Sequence, residues 1–502
     1  MELAVEIQGV TKRYPRCVAN EDASLSLYAG EVHALVGENG AGKSTLMKVL
    51  AGVIRPDRGT VKVRGKPLSR FQPEESLAAG VGMVFQHFVL VGPLTVAENV
   101  VLGREPRRGL IFDRARAEAE VREVSQRFGL AVDPSARVED LPVGVQQRVE
   151  ILKVLYRGAE VIVLDEPTAI LTPQEVDELL KVVRGLAESG KSILLISHKL
   201  REVMAAADRV TIMRRGKTIE TLEVAKTSAD AIAEKMIGRA PDPPQRAPHP
   251  VGPVFLEVRG LSARSDRGSM ALLGVDLEIR GGEVLGVAGI EGNGQAELVE
   301  CLAGLRSPSA GVVRLGGVDI TQASVRERLA AGLAHVPDDR LRRAVVPSMT
   351  LSENALLGFQ ERFTRALHLE QAKLTAFTEE ILRSNDVRPP DPEALVGSLS
   401  GGNQQKLVIG REMARHPKLV LAAHPTRGLD VAAMEHVDRA LLAARDQGAA
   451  VLLVSAELSE LLRVADRIIV LAGGKIAGLV APDEVDERAL GLMMSGASRS
   501  PG

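Results

Sequence analysis

Residues Gly37 to Thr45 read GENGAGKST, which fits the phosphate-loop pattern GxxxxGK[ST]. An apolar run, VHALV, precedes it and KSTLMKVLAG follows, so a strand, a loop and a helix are expected in that order. Gly37, Gly40 and Gly42 let backbone N–H groups curl around phosphate oxygens, with Asn39 inside the loop and Thr45 closing it. The helix N-terminus adds positive potential. Lys43 is placed to reach β- and γ-phosphates, and Ser44 to ligate Mg²⁺. Downstream, VIVLDEPT puts Asp165 and Glu166 at the end of a buried strand, where neighbouring side chains point to opposite faces. Two adjacent carboxylates can therefore divide the work: Asp165 holds Mg²⁺ through its water shell and Glu166 polarises an attacking water. Three further residues are open when taken singly. His198 in LLISHKL is either functional or structural, Gln86 in GMVFQHF either a ligand or a loop amide, and Tyr14 in TKRYPR either stacks on a base or packs.

The elements that must carry these residues occur twice. AGEVHALVGENGAGKS (from Ala29) aligns with GGEVLGVAGIEGNGQA (from Gly281), an offset of 252 residues. LTVAENVVLG aligns with MTLSENALLG at 255, and LPVGVQQRVEIL with LSGGNQQKLVIG at 258, so a few residues are inserted in the middle of the second copy. Between the copies, RAPDPPQRAPHPVGP contains six prolines and is expected to act as a semi-rigid spacer. Domains are expected at 1–238 and 254–496, with 239–253 as linker and 497–502 as a tail. Short apolar runs such as VHALVG and VIVLDE predict buried strands. DRARAEAEVREVSQRFG predicts a helix capped by Asp113, with Ala117, Val121, Val124 and Phe128 on one face and Gly129 as its stop. The fold class is α/β.

At 502 residues the chain is too long for one core. Hydrophobic residues are 45%, charged residues 25% and net charge −2, which is ordinary globular composition and argues against nucleic-acid binding by charge alone. Cys17 and Cys301 lack CxxC spacing and suit packed thiols in a reducing compartment. The start MELAVEIQGV does not resemble a signal peptide, and no apolar run reaches the roughly 18 residues of a membrane span. Any membrane role is expected to come through a partner.

Phosphate loop, Gln, signature phrase, DE strand end and His, in this order and twice, resemble the ABC-type ATPase domain over nearly the whole chain. The resemblance implies a RecA-like core, an antiparallel β subdomain and a helical subdomain in each half. It also implies ATP and Mg²⁺ as ligands, Gln86 as a sensor of Mg²⁺, water and the transporter partner, His198 on the γ-phosphate, and Tyr14 on adenine. Two such domains pair head to tail, and the signature of one caps the γ-phosphate held by the other.

The halves have decayed in complementary places. The second loop, GIEGNGQA, has Gln295 for Lys and Ala296 for Ser; its strand end has Ala423 and His424, its His position Ala456, and its Gln position Asp338. Its signature residues Ser400, Gly401, Gly402 and Asn403 are intact, and TRGLD supplies Asp430. The first half keeps the nucleotide-holding set, but has Pro142 and Val143 in its signature and Thr172 opposite Asp430. One competent composite site is expected. Losing the Lys alone would weaken ATP by about tenfold to over a hundredfold, and losing the base would cost roughly 10²–10⁴ in rate.

Tandem ATPase domains without a span resemble the ATPase subunits of bacterial importers for nucleosides and simple sugars. VGVQQRVEILKVLYRGAEVIVLDEPTAILTPQE and the missing acidic pair in AAHPTRGLD resemble the nucleoside branch, although Pro142 departs from its usual Ser. That implies two transmembrane permease subunits, a substrate-binding lipoprotein, and a peripheral position on the cytoplasmic face of the membrane. The alternatives are a ribose- or galactose-like sugar importer and, more distantly, a soluble ATPase acting on ribosomes or DNA. The apolar stretch HFVLVGPL after Gln86 is a candidate permease contact, with Phe88 and Leu90 as its probes, or else ordinary packing.

Overall fold

The computed structural model describes residues 2–494 except 15–16, 86–87, 169–170, 172, 241, 291 and 366–367. Gln86 and Thr172 lie outside the described residues. The chain forms two compact units, Met1–Pro241 and Asp242–Gly502.

Each unit is built on a six-stranded sheet with the same strand order. In the first, Val81–Val84, Val161–Asp165, Ser192–Ile196, Val32–Gly37 and Arg209–Arg214 run parallel, and Lys217–Glu223 closes the edge antiparallel. In the second, the order is Leu333–Val336, Leu419–Ala423, Ala450–Val454, Glu283–Ala288, Arg467–Ala472 and the antiparallel Lys475–Val480. The central strands are apolar throughout because both faces are covered. Val161 and Val163 enter a core shared with the helix Lys43–Leu50 and the strands Leu3–Tyr14 and Cys17–Tyr28. Ile162 and Leu164 enter another with Val96, Val100, Ala117 and Val121 of the helical region. Each such side chain contributes about 1.5–3 kcal/mol on burial.

A four-stranded antiparallel sheet flanks each core, Cys17–Tyr28, Leu3–Tyr14, Arg58–Val63 and Lys66–Pro67 in the first unit, Met270–Arg280, Val254–Arg264, Ala310–Leu315 and Val318–Asp319 in the second. In the helical region, Asp113 caps Arg114–Arg127 by accepting from the Arg116 N–H at 3.1 Å, and Gly129 stops it at φ 67°. The insertion in the second unit forms a short extra helix, Arg340–Arg343.

The proline-rich stretch, expected as a semi-rigid spacer, makes polar contacts with the second unit. From Asp242 onward it lies on the second unit, because its polar groups find partners there. The Asp242 N–H donates to Glu435 at 2.8 Å, Arg246 pairs with both carboxylate oxygens of Asp483 at 2.8 Å, and Arg445 donates to the Ala247 carbonyl at 3.1 Å.

Behind each of the strand ends at Asp165 and Ala423 sits a buried glutamate. Glu202 accepts from Thr168 Oγ1 at 2.5 Å and Ser197 Oγ at 2.8 Å. Its counterpart Glu460 accepts from Ser455 at 2.5 Å but faces another buried acid, Asp438, where the first unit has Leu180. Glu460 Oε1 and Asp438 Oδ1 are both buried acceptors without a donor, which one shared proton would satisfy. Burial, with the charge of Asp438, pushes the Glu460 carboxyl up to about 8. A folded-state value above the unfolded one means that unfolding releases a proton, so this contribution to stability is full below the ordinary carboxyl range and declines as pH rises through about 8. Glu460→Gln should therefore melt several degrees above the unmodified protein at pH 8.5 and lose that advantage at pH 5.5, as followed by thermal unfolding of the second unit.

Candidate functional site

The phosphate loop of the first unit connects Val32–Gly37 to the helix Lys43–Leu50. Gly40 (φ 83°) and Gly42 (φ 95°) have left-handed backbone, and a Cβ on Gly42 would collide with the Ala19 carbonyl oxygen. Glycine is thus required here both by conformation and by space. Asn20, fully buried, donates to the Gly42 carbonyl at 3.1 Å and pins the loop to the antiparallel sheet. Lys43, only 5% exposed, lies back along the loop and donates to the carbonyls of Gly37 at 2.6 Å and Glu38 at 3.0 Å. Asn39 and Thr45 are partly exposed on either side of it.

Two neighbouring strands deliver the acids and the histidine. Asp165 pairs in register with Ile196, and the Glu166 N–H donates to the Ile196 carbonyl at 3.0 Å. Glu166 then turns with φ 47°, an uncommon conformation for a non-glycine residue that costs on the order of 1–3 kcal/mol. The turn separates the carboxylates. Ser44 Oγ donates to Asp165 Oδ1 at 3.3 Å, while Glu166 Oε1 meets His198 Nδ1 at 3.2 Å. Burial and the charge of Glu166 push the Asp165 carboxyl up, with Ser44 and Lys43 opposing. For Glu166, burial acts upward too, but the His198 hydrogen bond and the charges of His198, Lys43 and Lys199 outweigh it and hold the carboxyl low. Two adjacent acids are thus driven apart in acidity, which suits different tasks.

Lys43, Ser44, Asp165, Glu166 and His198 converge around the carboxyl end of one sheet, where open parallel sheets bind ligands. Tyr14 stands apart at the tip of the hairpin it forms with Cys17, 40% exposed, with Lys12 Nζ 5.9 Å from its ring centre. Ser400, Gly401, Gly402, Asn403 and Asp430 belong to the second unit. Ser400 caps the helix Gly401–Met413, with Asn403 Nδ2 donating to its Oγ at 3.0 Å, and Asp430 caps Val431–Asp446 by accepting from the Ala433 N–H at 2.9 Å. The helix Val143–Tyr156 of the first unit forms without any side-chain cap, following Pro142.

The second unit keeps the backbone of the site and replaces its chemistry. Gly292 and Gly294 have φ 92° and 105°, and His424 turns at φ 45° where Glu166 does. Gln295 lies in the place of Lys43, with its amide donating to the Ile290 carbonyl at 3.1 Å. His424 Nδ1 accepts from the Ala456 N–H at 3.2 Å, a neutral echo of the Glu166–His198 pair. Leu272 stands where Asn20 pins the first loop.

A model of the ABC transporter family matches residues 20–169 and 272–427, covering both loops, both strand ends and both signature phrases. The chain belongs to the ABC transporter family. Its tandem ABC domains make it an ATPase. It is 44% identical over 498 residues to a nucleoside import ATP-binding protein of Lactococcus lactis subsp. cremoris, covering 99% of this chain and 98% of that one. It is 40% identical over 506 residues to a ribose import ATP-binding protein of Rubrobacter xylanophilus, covering all of both. Among solved structures, one of ribosome-bound archaeal Pelota and ABCE1 has a chain with TM-score 0.65 and 21% identity, covering 97% of this chain and 80% of that one, a likeness of ABC fold alone.

Sequence reasoning missed Asn20 and Glu202. Glu202 had a signal: Thr168, Ser197 and Glu202 recur in the repeat as Thr426, Ser455 and Glu460, although the residue types beside them change. Asn20 had none, because its partner is a main-chain carbonyl. Asn20→Leu should leave the first unit folded, since the second carries Leu272 at that place, and weaken ATP about fivefold, the effect of one hydrogen bond of about 1 kcal/mol. Equilibrium titration with a labelled ATP analogue measures it.

Proposed function

We propose that this chain is the ATP-hydrolysing subunit of a bacterial importer for nucleosides, held at the cytoplasmic face of the membrane by two permease subunits and served by a substrate-binding lipoprotein. The observation that carries it is the division of parts: the first unit has Lys43, Ser44, Asp165, Glu166 and His198 together, and the second has the undamaged Ser400–Asn403 phrase and Asp430. Head-to-tail pairing of the units would complete one ATP site from these halves and leave the other without base, lysine or metal ligand. The 44% identity to a nucleoside import protein, against 40% to a ribose one, supports the cargo class.

The donor set fits magnesium. Ser44 hydroxyl and Asp165 carboxylate converge, and no group of three or more His, Cys, Asp or Glu is gathered among the described residues, which suits an ion held by few side chains and by substrate phosphates. When bound, it would neutralise charge on the phosphates. Lys43 exchanges its carbonyl partners for phosphate oxygens. Glu166, kept anionic, orients the attacking water, and His198 holds Glu166 in place and reaches the terminal phosphate. Gln86 would contact magnesium and water, and Tyr14 the base. No described helix is long and apolar enough to cross a membrane, so force must pass through a protein contact. In the candidate contact after Gln86, Leu90 packs into the helical core, while Val89 and Val91 are 58% and 43% exposed.

With permeases in proteoliposomes, Lys43→Ala and Glu166→Gln should reduce ATPase activity at least 10²-fold, and Gln295→Ala less than twofold. Equal losses from both loops would overturn the single-site proposal, and uptake of ribose in preference to nucleoside would reassign the cargo. Val89→Asp should abolish uptake while sparing most ATP hydrolysis, measured on the same vesicles. Loss of both together would return the stretch to ordinary packing.

A further inference from the structure

Both signature helices have a carboxylate near their N-termini, Glu175 at Gly144 and Asp430 at Gly402, but only the second also has a guanidinium there. In the second unit Arg340, from the inserted helix, lies against the start of Gly401–Met413: a Cβ on Gly401 would collide with Arg340 Nη2. Nη1 donates to the Arg427 carbonyl at 3.3 Å, at the head of the loop that leads to Asp430. Nε is buried with no acceptor. One guanidinium therefore touches both loops that present the Ser400 and Asp430 groups. Burial pushes its pKa down and Asp339 opposes this, but an arginine stays charged. A cation beside a helix N-terminus stands against the helix dipole, an arrangement that an approaching anion relieves.

The first unit is built the other way. Its stretch after Val84 reads FQHFVLVG, without Arg or Lys. At Gly144, the counterpart of Gly402, an added Cβ would lie 2.5 Å from Glu175 Oε1, so a carboxylate of the same unit sits against that helix start. The position aligned with Glu175 in the second unit is Ala433. The difference at the two helix starts is therefore the guanidinium of Arg340, which offsets the Asp430 carboxylate in the second unit and has no counterpart in the stretch after Val84 of the first.

We propose that Arg340 is a positioning residue that makes the second unit's signature the one that accepts a terminal phosphate. It holds the Gly401 and Arg427 loops in one geometry and adds a fixed positive charge behind the donors of Ser400 and the helix start. The ligand chemistry is the γ-phosphate of a nucleoside triphosphate, which a diphosphate lacks. The proposal rests on the head-to-tail pairing given above.

The test uses the full transporter in proteoliposomes, with ATP as substrate and ADP as competing inhibitor. Arg340→Gln keeps a donor for the Arg427 carbonyl and removes the charge; Arg340→Lys keeps the charge. The Gln variant should raise KM for ATP about tenfold with the ADP inhibition constant changed less than twofold, and the Lys variant should stay within about threefold of the unmodified protein on both. Gln and Lys variants that behave alike, or an ADP constant that worsens in step with KM, would overturn the charge role. If the Gln variant does not fold, the Lys variant decides alone, and a tenfold rise in its KM overturns the proposal. Ser400→Ala separates the two levels. If it slows turnover while Arg340→Gln does not, Arg340 is excluded and the pairing stands; if Ser400→Ala is also silent, the pairing itself fails.

Discussion

A carboxylate that accepts from two hydroxyls holds the working end of the first sheet together. Glu202 takes hydrogen bonds from Thr168 and Ser197, residues that follow Glu166 and precede His198. It therefore sets the distance between two loops that leave neighbouring strands, and the 3.2 Å contact of Glu166 with His198 depends on it. The bonds are buried, so they are strong enough to support the unfavourable turn at Glu166. Glu460 repeats one of them with Ser455, and His424 keeps the same turn where the first unit has Glu166.

The decay of the second unit is chemical and not architectural. Its glycines retain left-handed backbone, its sheet retains the strand order, and Gln295 answers the loop carbonyl that Lys43 answers in the first. A neutral amide does this work and carries no charge for a phosphate to balance. The first unit has lost in the same economical way: Pro142 removes a capping hydroxyl, yet Val143–Tyr156 still forms a full helix against the core. Each unit thus preserves the surface that supports its fold and discards only groups that would meet a ligand.

Much of this was legible in the chain. The glycine spacing around Lys43, the apolar runs before Asp165 and His198, and the offsets between copies predicted the strands, the loop and the duplicated layout, because those features depend on local backbone needs and period. The role of Asn20 was not legible, since its bond ends on a carbonyl far along the chain. The place of the proline-rich stretch from 242 onward was not legible for the same reason: proline content describes stiffness but is silent about Asp483, Arg445 and Glu435, which are distant in sequence and partner it. Leu90 likewise looked available as a contact until its packing against the helical core was known, whereas its neighbours Val89 and Val91 face outward.

Gln295 has one more consequence. Both loops close on their own carbonyls, through Gln295 in one and Lys43 in the other, but only the ammonium of Lys43 carries a charge that a phosphate would meet. Under the proposed pairing, nucleotide would stabilise the first half through its loop and the second only through its signature, not through the Gln295 loop. The stability of the chain would then vary with nucleotide through the Lys43 loop and not through the Gln295 loop.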